Sequence, residues 1–308
     1  MDTPHDHPHD HPHDHPHERG ATPAHGPSHG HDEGVGDDLL DLDGQVLAGY
    51  WAQALDTVVA LARAGAAAGS SAPVTTVADL GAGTGTGAVG LAVRLPEARV
   101  VALDVEESSL ARVASKAEAG GVGDRVRTLV VDLDDGWPDL GPLDLTWASM
   151  SLHHLADPGR TLGQLRTATR PGGLVAVAEF VEPVRFLPDD LGVGRPGLED
   201  RALAALSRAH EQEVPTIGSQ WSAVLADAGW TVVEEHDLRI DQTGSDHPLT
   251  GAYARAWFAR LAQGLEDRLE QDDRDTLAVL LDDRSPHALA RRTDLRVRGT
   301  RTVTVARA

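Results

Sequence analysis

The chemistry this sequence offers first lies where a carboxylate stands directly before a run of glycines, in Asp79-Leu80-Gly81-Ala82-Gly83-Thr84-Gly85. The apolar stretch Val74 to Leu80 runs into that turn, and a second, Val100 to Val105, carries an acid, Asp104, near its end. Glycines at such a turn let the backbone approach a nucleotide-like ligand closely, and an acid after the following strand can accept both hydroxyls of a ribose. A third acid, Asp132, sits in Val131-Asp132-Leu133 after a third apolar stretch. Two classes of ligand use this geometry, and a literal G-x-G-x-x-G at Gly85-Thr86-Gly87-Ala88-Val89-Gly90 brings a dinucleotide oxidoreductase into consideration. That motif begins too far from the strand end, however, and its last glycine falls inside the predicted helix. Asp79 separates the two ligands better: a carboxylate there would repel a pyrophosphate, whereas it suits a ligand carrying an ammonium and a sulfonium.

A second group with chemical potential follows the fourth predicted strand, in Ser149-Met150-Ser151-Leu152-His153-His154-Leu155-Ala156-Asp157-Pro158, with Glu179 near the end of the fifth. Histidine exchanges a proton readily near neutrality, so His153 or His154 is a candidate general base, and Glu179 is a third candidate. The plain alternatives are a histidine that only hydrogen-bonds backbone at the next helix start and a glutamate that ends a strand in solvent. His210 and His236 have no supporting neighbours in sequence. The arginines of Arg185-Phe186-Leu187-Pro188-Asp189-Asp190 and Gly194-Arg195-Pro196-Gly197 could bind an anionic acceptor, although surface arginines are more often simply solvated.

Placing these groups requires alternating strands and helices. Strands are predicted at 74–80, 100–105, 126–133, 143–150 and 174–181, with helices at about 86–94, 107–119 and 157–169, the last closed by Arg170-Pro171-Gly172-Gly173. From Leu39 onward, Val46, Leu47, Tyr50, Trp51, Leu55, Val58, Val59 and Ala62 recur at three- and four-residue spacing, which predicts a helix ahead of the sheet. Short, near-continuously apolar strands between amphipathic helices imply a parallel sheet covered on both faces, a doubly wound α/β domain. The second half adds predicted helices at 198–210, 217–228 and over much of 249–290, and strands at 231–240 and 295–305. Leu249, Tyr253, Trp257, Leu261, Leu265 and Leu269 form a stripe that reads as core packing.

These residues resemble the class I S-adenosylmethionine-dependent methyltransferases over about residues 44–182, with further agreement at the C-terminal strands. The resemblance implies that the turn Asp79, Gly81, Ala82, Gly83, Gly85 wraps the methionine part of S-adenosylmethionine. It implies further that Asp104 takes the ribose hydroxyls, Val105 or Glu106 lines the adenine, Asp132 beside Leu133 holds the adenine amino group, and Ser149 borders the cofactor. His-His-Leu-x-Asp-Pro is similar to the quinone-biosynthesis and related small-molecule C- and O-methyltransferases. The implied fold is α/β with a doubly wound, mostly parallel seven-stranded sheet and an antiparallel last strand. Strand six is parallel to the first five, and helical insertions cover the carboxyl edge, where ligands of open α/β sheets bind. An Asn-Pro-Pro-Tyr signature of amino-group methylation is absent after strand four, where Trp147-Ala148-Ser149-Met150 stands. Methylation of oxygen or carbon is therefore expected over nitrogen.

Composition bounds the partners. A net charge of -21 disfavours nucleic acid, whose binding needs clustered cations. The sequence has no cysteine, which removes thiolate chemistry, arsenic methylation by thiolates included, and Lys116 is its only lysine. Without a long apolar run or an apolar leader, no membrane partner and a cytoplasmic location are expected. Residues 1–36 are read as a disordered His/Pro/Asp-rich tail and 37–308 as the methyltransferase domain, with 37–182 binding cofactor and 183–308 covering substrate and adding the last strands. Within the tail His5, His7, His9, His11, His13, His15 and His17 alternate with proline and aspartate. Such a tail is competent for Zn, Ni, Cu or Co, with no fixed geometry that would make the metal catalytic. Two further readings of the whole chain follow, a metal-buffering or metal-sensing protein with an ancillary methyltransferase fold and a nicotinamide-dependent oxidoreductase. The partner expected first is a small-molecule acceptor.

Overall fold

The computed structural model describes residue 1 and residues 33–67, 69, 73–213 and 216–308. The histidines assigned to metal, His5 to His17, lie outside the described residues. Asp32–Ala308 is one compact unit. Seven strands form a single sheet in the order β3-β2-β1-β4-β5-β7-β6. They are β1 (Thr76–Leu80), β2 (Arg99–Asp104), β3 (Val126–Val130), β4 (Leu143–Ser149), β5 (Thr169–Arg185), β6 (Thr231–Thr243) and β7 (Arg296–Arg307). The first five pair in parallel. β7 then inserts antiparallel between β5 and β6, so β6 runs with the first five. This is the doubly wound, mostly parallel sheet with an antiparallel last strand that the sequence implies.

The central strands are buried because both their faces are covered, and alternate residues serve opposite layers. Val77, Val100, Ala102, Leu145, Trp147, Ala176, Ala178, Val303 and Val305 belong to one core cluster. That cluster also takes residues of α2 (Ala48–Ala67), α3 (Thr86–Arg94), α4 (Glu107–Ala119) and α8 (Thr250–Gly264). Ala78, Leu80, Val101, Leu103, Ala148, Val175 and Val177 pack in the other, with Leu162 and Leu165 of α5 (Pro158–Ala168) and Trp221 and Leu225 of α7 (Trp221–Asp227). Each fully buried aliphatic side chain contributes roughly 1.5–3 kcal/mol. The strand order reverses between β1 and β4, so the loops leaving their carboxyl ends diverge and open a crevice there. Asp79 and Ser149 both stand at that crevice.

Several boundaries differ from the sequence pattern. The helix ahead of the sheet is two, α1 (Glu33–Val46) and α2, so the tail boundary drawn at 36 falls within α1. Bonds from Leu47 N to Asp43 O and from Trp51 N to Leu47 O carry helical pairing through the junction at Leu47. The segment Arg170 to Gly173, expected to close a helix as a turn, is instead the start of β5: α5 ends at Ala168, and Thr169 already pairs with Leu143. Arg170 reaches Asp144 at 2.6 Å, and Asp144 also accepts the Thr75 and Thr76 N–H groups, which ties this end of the sheet together. α7 begins four residues later than the pattern predicts, and α8 ends at Gly264, although Leu265 and Leu269 remain in the core. The remaining helices are α6 (Leu198–Glu213) and α9 (Gln271–Leu281).

Candidate cofactor and acceptor site

The glycine turn has the conformations its sequence demands. Gly81, Gly83 and Gly85 have φ of 62°, 49° and 87°, a region open to glycine and costly for other residues. Gly81 also has no room for a side chain, since a Cβ there would stand 2.4 Å from Ser151 Cβ. Asp104 holds the turn from the next strand: its Oδ2 accepts the Gly83 N–H at 2.8 Å and its Oδ1 the Glu106 N–H at 3.1 Å. The Ala82 N–H donates to Leu103 O at 2.9 Å, so turn and second strand end form one piece.

Asp79 is the unusual carboxylate. It is 2% exposed, accepts one backbone bond from Ala88 at the start of α3, and its Oδ2 is buried without a partner. Burial, with the nearby charge of Asp104, pushes its pKa up to about 8 against the Ala88 hydrogen bond. A buried acceptor left open is costly unless something completes it. A ligand ammonium is the donor that would restore the ionised form. The buried indole of Trp147 lies beside it, and a Cβ on Gly87 would stand 2.7 Å from Trp147 Nε1 and 2.8 Å from Asp79 Oδ2.

The other cofactor candidates are dispersed along the same edge. Val105 is exposed, Asp132 Oδ1 accepts the Asp134 N–H at 2.8 Å, and Ala82 is half-buried. Leu133 faces inward and packs in the core with Leu80 and Leu103, whereas Ser149 Oγ is buried with no partner. One helix, α1, closes over the turn. Leu40 of α1 approaches Gly83, and Gly44 abuts Thr86. Arg112 and Lys116 of α4 hold α1 there: Arg112 pairs with Asp37, Asp38 and Asp41, and Lys116 with Asp41 at 2.5 Å. Lys116 Nζ also donates to Thr84 Oγ1 at 3.0 Å, so the only lysine links cofactor turn and α1. Burial works to raise the Asp41 carboxyl, but hydrogen bonds from Lys116 and Thr84 outweigh it and hold the pKa below the ordinary value. The solitary lysine was visible in the sequence; its partner 75 positions away was not.

The structure brings His153 and Glu179 together and separates His154 from them in burial. His153 and Glu179 are both buried, with Nδ1 and Oε2 2.7 Å apart, while His154 is exposed and stacks on His153 at 4.2 Å between ring centroids. Glu179 is thus no solvated strand terminus: its Oε1 accepts the Ser151 N–H at 3.2 Å. Ser151 Oγ donates to Leu80 O at 2.7 Å, pinning this loop to the glycine turn, and Met150 ahead of it takes a φ of 57°.

A buried ion pair backs this region. Asp43 at the end of α1 receives the Arg301 guanidinium of β7 through both its oxygens, the Tyr253 hydroxyl at 2.6 Å and the Trp51 indole at 3.0 Å. Arg301 also lies over the Tyr50 ring at 4.7 Å, and the Tyr50 hydroxyl is buried without a partner. No local spacing signals a pair whose members stand 258 residues apart. The loop arginines proposed for an anionic acceptor are engaged with acids: Arg185 with Asp200 at 2.5 Å, Arg195 with Glu270 at 2.7 Å. No group of three or more metal-ligating side chains occurs among the described residues.

Residues 77–173 match the family described as a methyltransferase domain. Demethylmenaquinone methyltransferase of Thermus thermophilus is 38% identical over 108 residues, 35% of this chain and 48% of that protein. The 27-O-demethylrifamycin SV methyltransferase of Amycolatopsis mediterranei is 31% identical over 104 residues, 33% of this chain and 38% of its own. Among solved structures, a SAM-dependent methyltransferase from Geobacter sulfurreducens in complex with S-adenosyl-L-homocysteine superposes with a TM-score of 0.45 at 19% identity, covering 82% of this chain and 90% of that one. The chain thus spans less than half the length of these two curated relatives. The match over residues 77–173 to the methyltransferase-domain family thus spans the glycine turn and the strand ends that carry Asp79 and Asp104.

Proposed function

We propose that this protein transfers the methyl group of S-adenosylmethionine to a small-molecule acceptor, on oxygen or carbon rather than nitrogen. The observation that carries the reading is the open Oδ2 of Asp79, buried beside a turn of left-handed glycines where a donor with positive charge would complete it. The cofactor supplies an electrophilic methyl on a sulfonium. This chain would supply position: Asp79 would hold the ammonium, Asp104 the ribose, Asp132 and Val105 the adenine, and Ser149 with the loop after β4 would border the methyl. Much of the rate gain in such a displacement comes from holding nucleophile and methyl in line. Nothing in the net charge of -21 favours a nucleic-acid partner, and no described helix is long and apolar enough to cross a membrane.

Titration calorimetry with S-adenosylmethionine and S-adenosylhomocysteine tests the reading, and absence of binding sinks it. Asp104→Ala is expected to weaken binding by about 1–3 kcal/mol through lost charge-assisted hydrogen bonds. Unchanged affinity would refute the ribose assignment. Labelled methyl donor with a fractionated cell extract then identifies the acceptor. The His-Pro-His-Asp repeat of residues 5–17 motivates a second, separate role in binding Zn, Ni, Cu or Co. Equal metal uptake by full-length and tail-deleted protein would remove that role.

A further inference from the structure

Gly87, in the first turn of α3, has the place of its missing side chain taken by an indole. A Cβ there would stand 2.7 Å from Trp147 Cδ1 and Nε1 and 2.8 Å from Asp79 Oδ2, so ring and carboxylate converge on one point of the helix. The sheet produces that convergence. Asp79 and Trp147 are register partners across the parallel strands β1 and β4, and such partners present their side chains on the same face. Trp147 is fully buried, and Trp51 of α2 packs against it at 6.2 Å between ring centroids. The Trp51 indole donates to Asp43 at 3.0 Å, whereas Trp147 Nε1 and Asp79 Oδ2 are both buried without a hydrogen-bond partner. An open donor and an open acceptor thus stand beside the same glycine. An indole N–H only donates. A protonated Asp79 with its hydrogen on the open oxygen leaves two donors near each other and no bond between them, whereas an ionised one can accept the indole N–H. Burial first, and then the charge of Asp104 at the end of β2, keep the proton in place against the Ala88 N–H of α3.

Resting on the reading that Asp79 takes the cofactor ammonium, we propose that Trp147 is the positioning residue of that site: its indole N–H closes on Asp79 Oδ2 when the arriving ammonium displaces the carboxyl proton, and opens again when the cofactor leaves. The displaced proton passes to solvent, the ammonium meets a carboxylate, and no covalent bond other than the carboxyl O–H is broken. Trp147 therefore acts on the cofactor through Asp79. A hydrogen bond that only the ionised carboxylate can accept favours that form, and so favours the bound state over the free one. Gly87 is part of the device, because a side chain there would drive the indole and the carboxylate from their common point.

The test begins on the free, full-length protein labelled with ¹⁵N-tryptophan. The Trp147 indole signal is assigned by its loss in Trp147→Phe or, should that variant not fold, by cross-peaks to the Gly87 α protons. It is expected to move downfield as pH rises through about 8, where Asp79 ionises, and to stay in place over the same range in Asp79→Asn. A signal that does not move in the wild type, or that moves equally in Asp79→Asn, overturns the proposal. Saturating S-adenosylhomocysteine at pH 7 is expected to carry the signal to its high-pH position, and a signal left at the free position by bound ligand overturns the proposal as well. In calorimetry Trp147→Phe is expected to bind S-adenosylhomocysteine about tenfold or more weakly at pH 7, with the rise of affinity displaced to higher pH. An equal loss at every pH, as a loosened core would give, or no loss at all, removes Trp147 from the site. The two readings fail differently. A wild type that binds no S-adenosylhomocysteine at any pH overturns the methyltransferase reading itself, whereas binding without an indole response overturns this proposal alone.

Discussion

Two buried carboxylates, Asp79 and Asp43, have opposite fates. Asp79 ends β1 with one oxygen unpartnered and a pKa pushed up to about 8, chiefly by burial. Burial acts on Asp43 in the same direction, but the Arg301 charge and hydrogen bonds from Arg301, Tyr253 and Trp51 outweigh it and bring its pKa below the ordinary value. The same environment raises Arg301, where the charge of Asp43 prevails over burial. Asp43 is a satisfied structural ion, and Asp79 is an incomplete one. Burial by itself does not mark a functional acid; burial without a partner does, because the missing donor must come from outside the fold.

The largest effect expected from breaking this contrast is at the paired site. Arg301→Met leaves Asp43 buried and unpaired, and urea denaturation should show a loss of about 3–5 kcal/mol. Adding Asp43→Asn should recover part of that loss, since no uncompensated charge then remains. A midpoint unmoved by Arg301→Met would mean that Asp43 is no ion of the core.

Asp79→Asn should act on binding instead, reducing S-adenosylhomocysteine affinity at pH 8 by about 1.5–3 kcal/mol, the worth of a hydrogen bond to a charged group. The pH dependence sharpens the contrast. Because the folded pKa is raised from 3.8 to about 8, the folded state binds more protons than the unfolded across that window. The contribution of Asp79 to stability is therefore present in acid and lost as pH rises through about 8. Denaturation of wild type beside Asp79→Asn from pH 4 to pH 8 should show the wild type losing ground, and cofactor affinity should rise with pH in the wild type only. Parallel stability curves would remove Asp79 from the comparison.

The smallest effect is expected at the half-exposed clamp. Lys116→Met removes the contacts to Asp41 and Thr84 and should cost under about 1 kcal/mol of stability, a difference that shrinks in concentrated salt. Its clearer reading is a faster release of S-adenosylhomocysteine in stopped flow, since α1 lies over the turn that Lys116 helps to hold. An unaltered release rate would leave α1 without influence on the cofactor edge.

Local spacing carried the sheet and its cofactor edge into view. Apolar runs such as Val100 to Leu103, separated by amphipathic stretches, require a covered parallel sheet, and Gly81, Gly83 and Gly85 announce backbone that other residues do not adopt. Asp79 and Asp104 stand at the ends of those runs, so their convergence was legible from periodicity. His153, His154 and Glu179 were legible as reactive types, and no spacing could tell which histidine meets the glutamate. The sequence also read Arg170 to Gly173 as a turn closing a helix, whereas they lie within β5 as an irregularity between Thr169 and Leu174, which pair with Leu143 and Leu145, and Arg170 reaches Asp144.

What the sequence by itself determined are the properties carried within a few residues: strand periodicity, the glycine turn, the acid before it and the charge of the whole. Only the tertiary structure decided which polar groups are completed. It supplies Asp43 with Arg301 from the last strand, gives Nδ1 of His153 to Glu179 across 26 residues, and leaves Oδ2 of Asp79 open. The physical reason is that satisfying a buried charge depends on what stands within about 3 Å of it, and folding sets that distance without regard to separation along the chain.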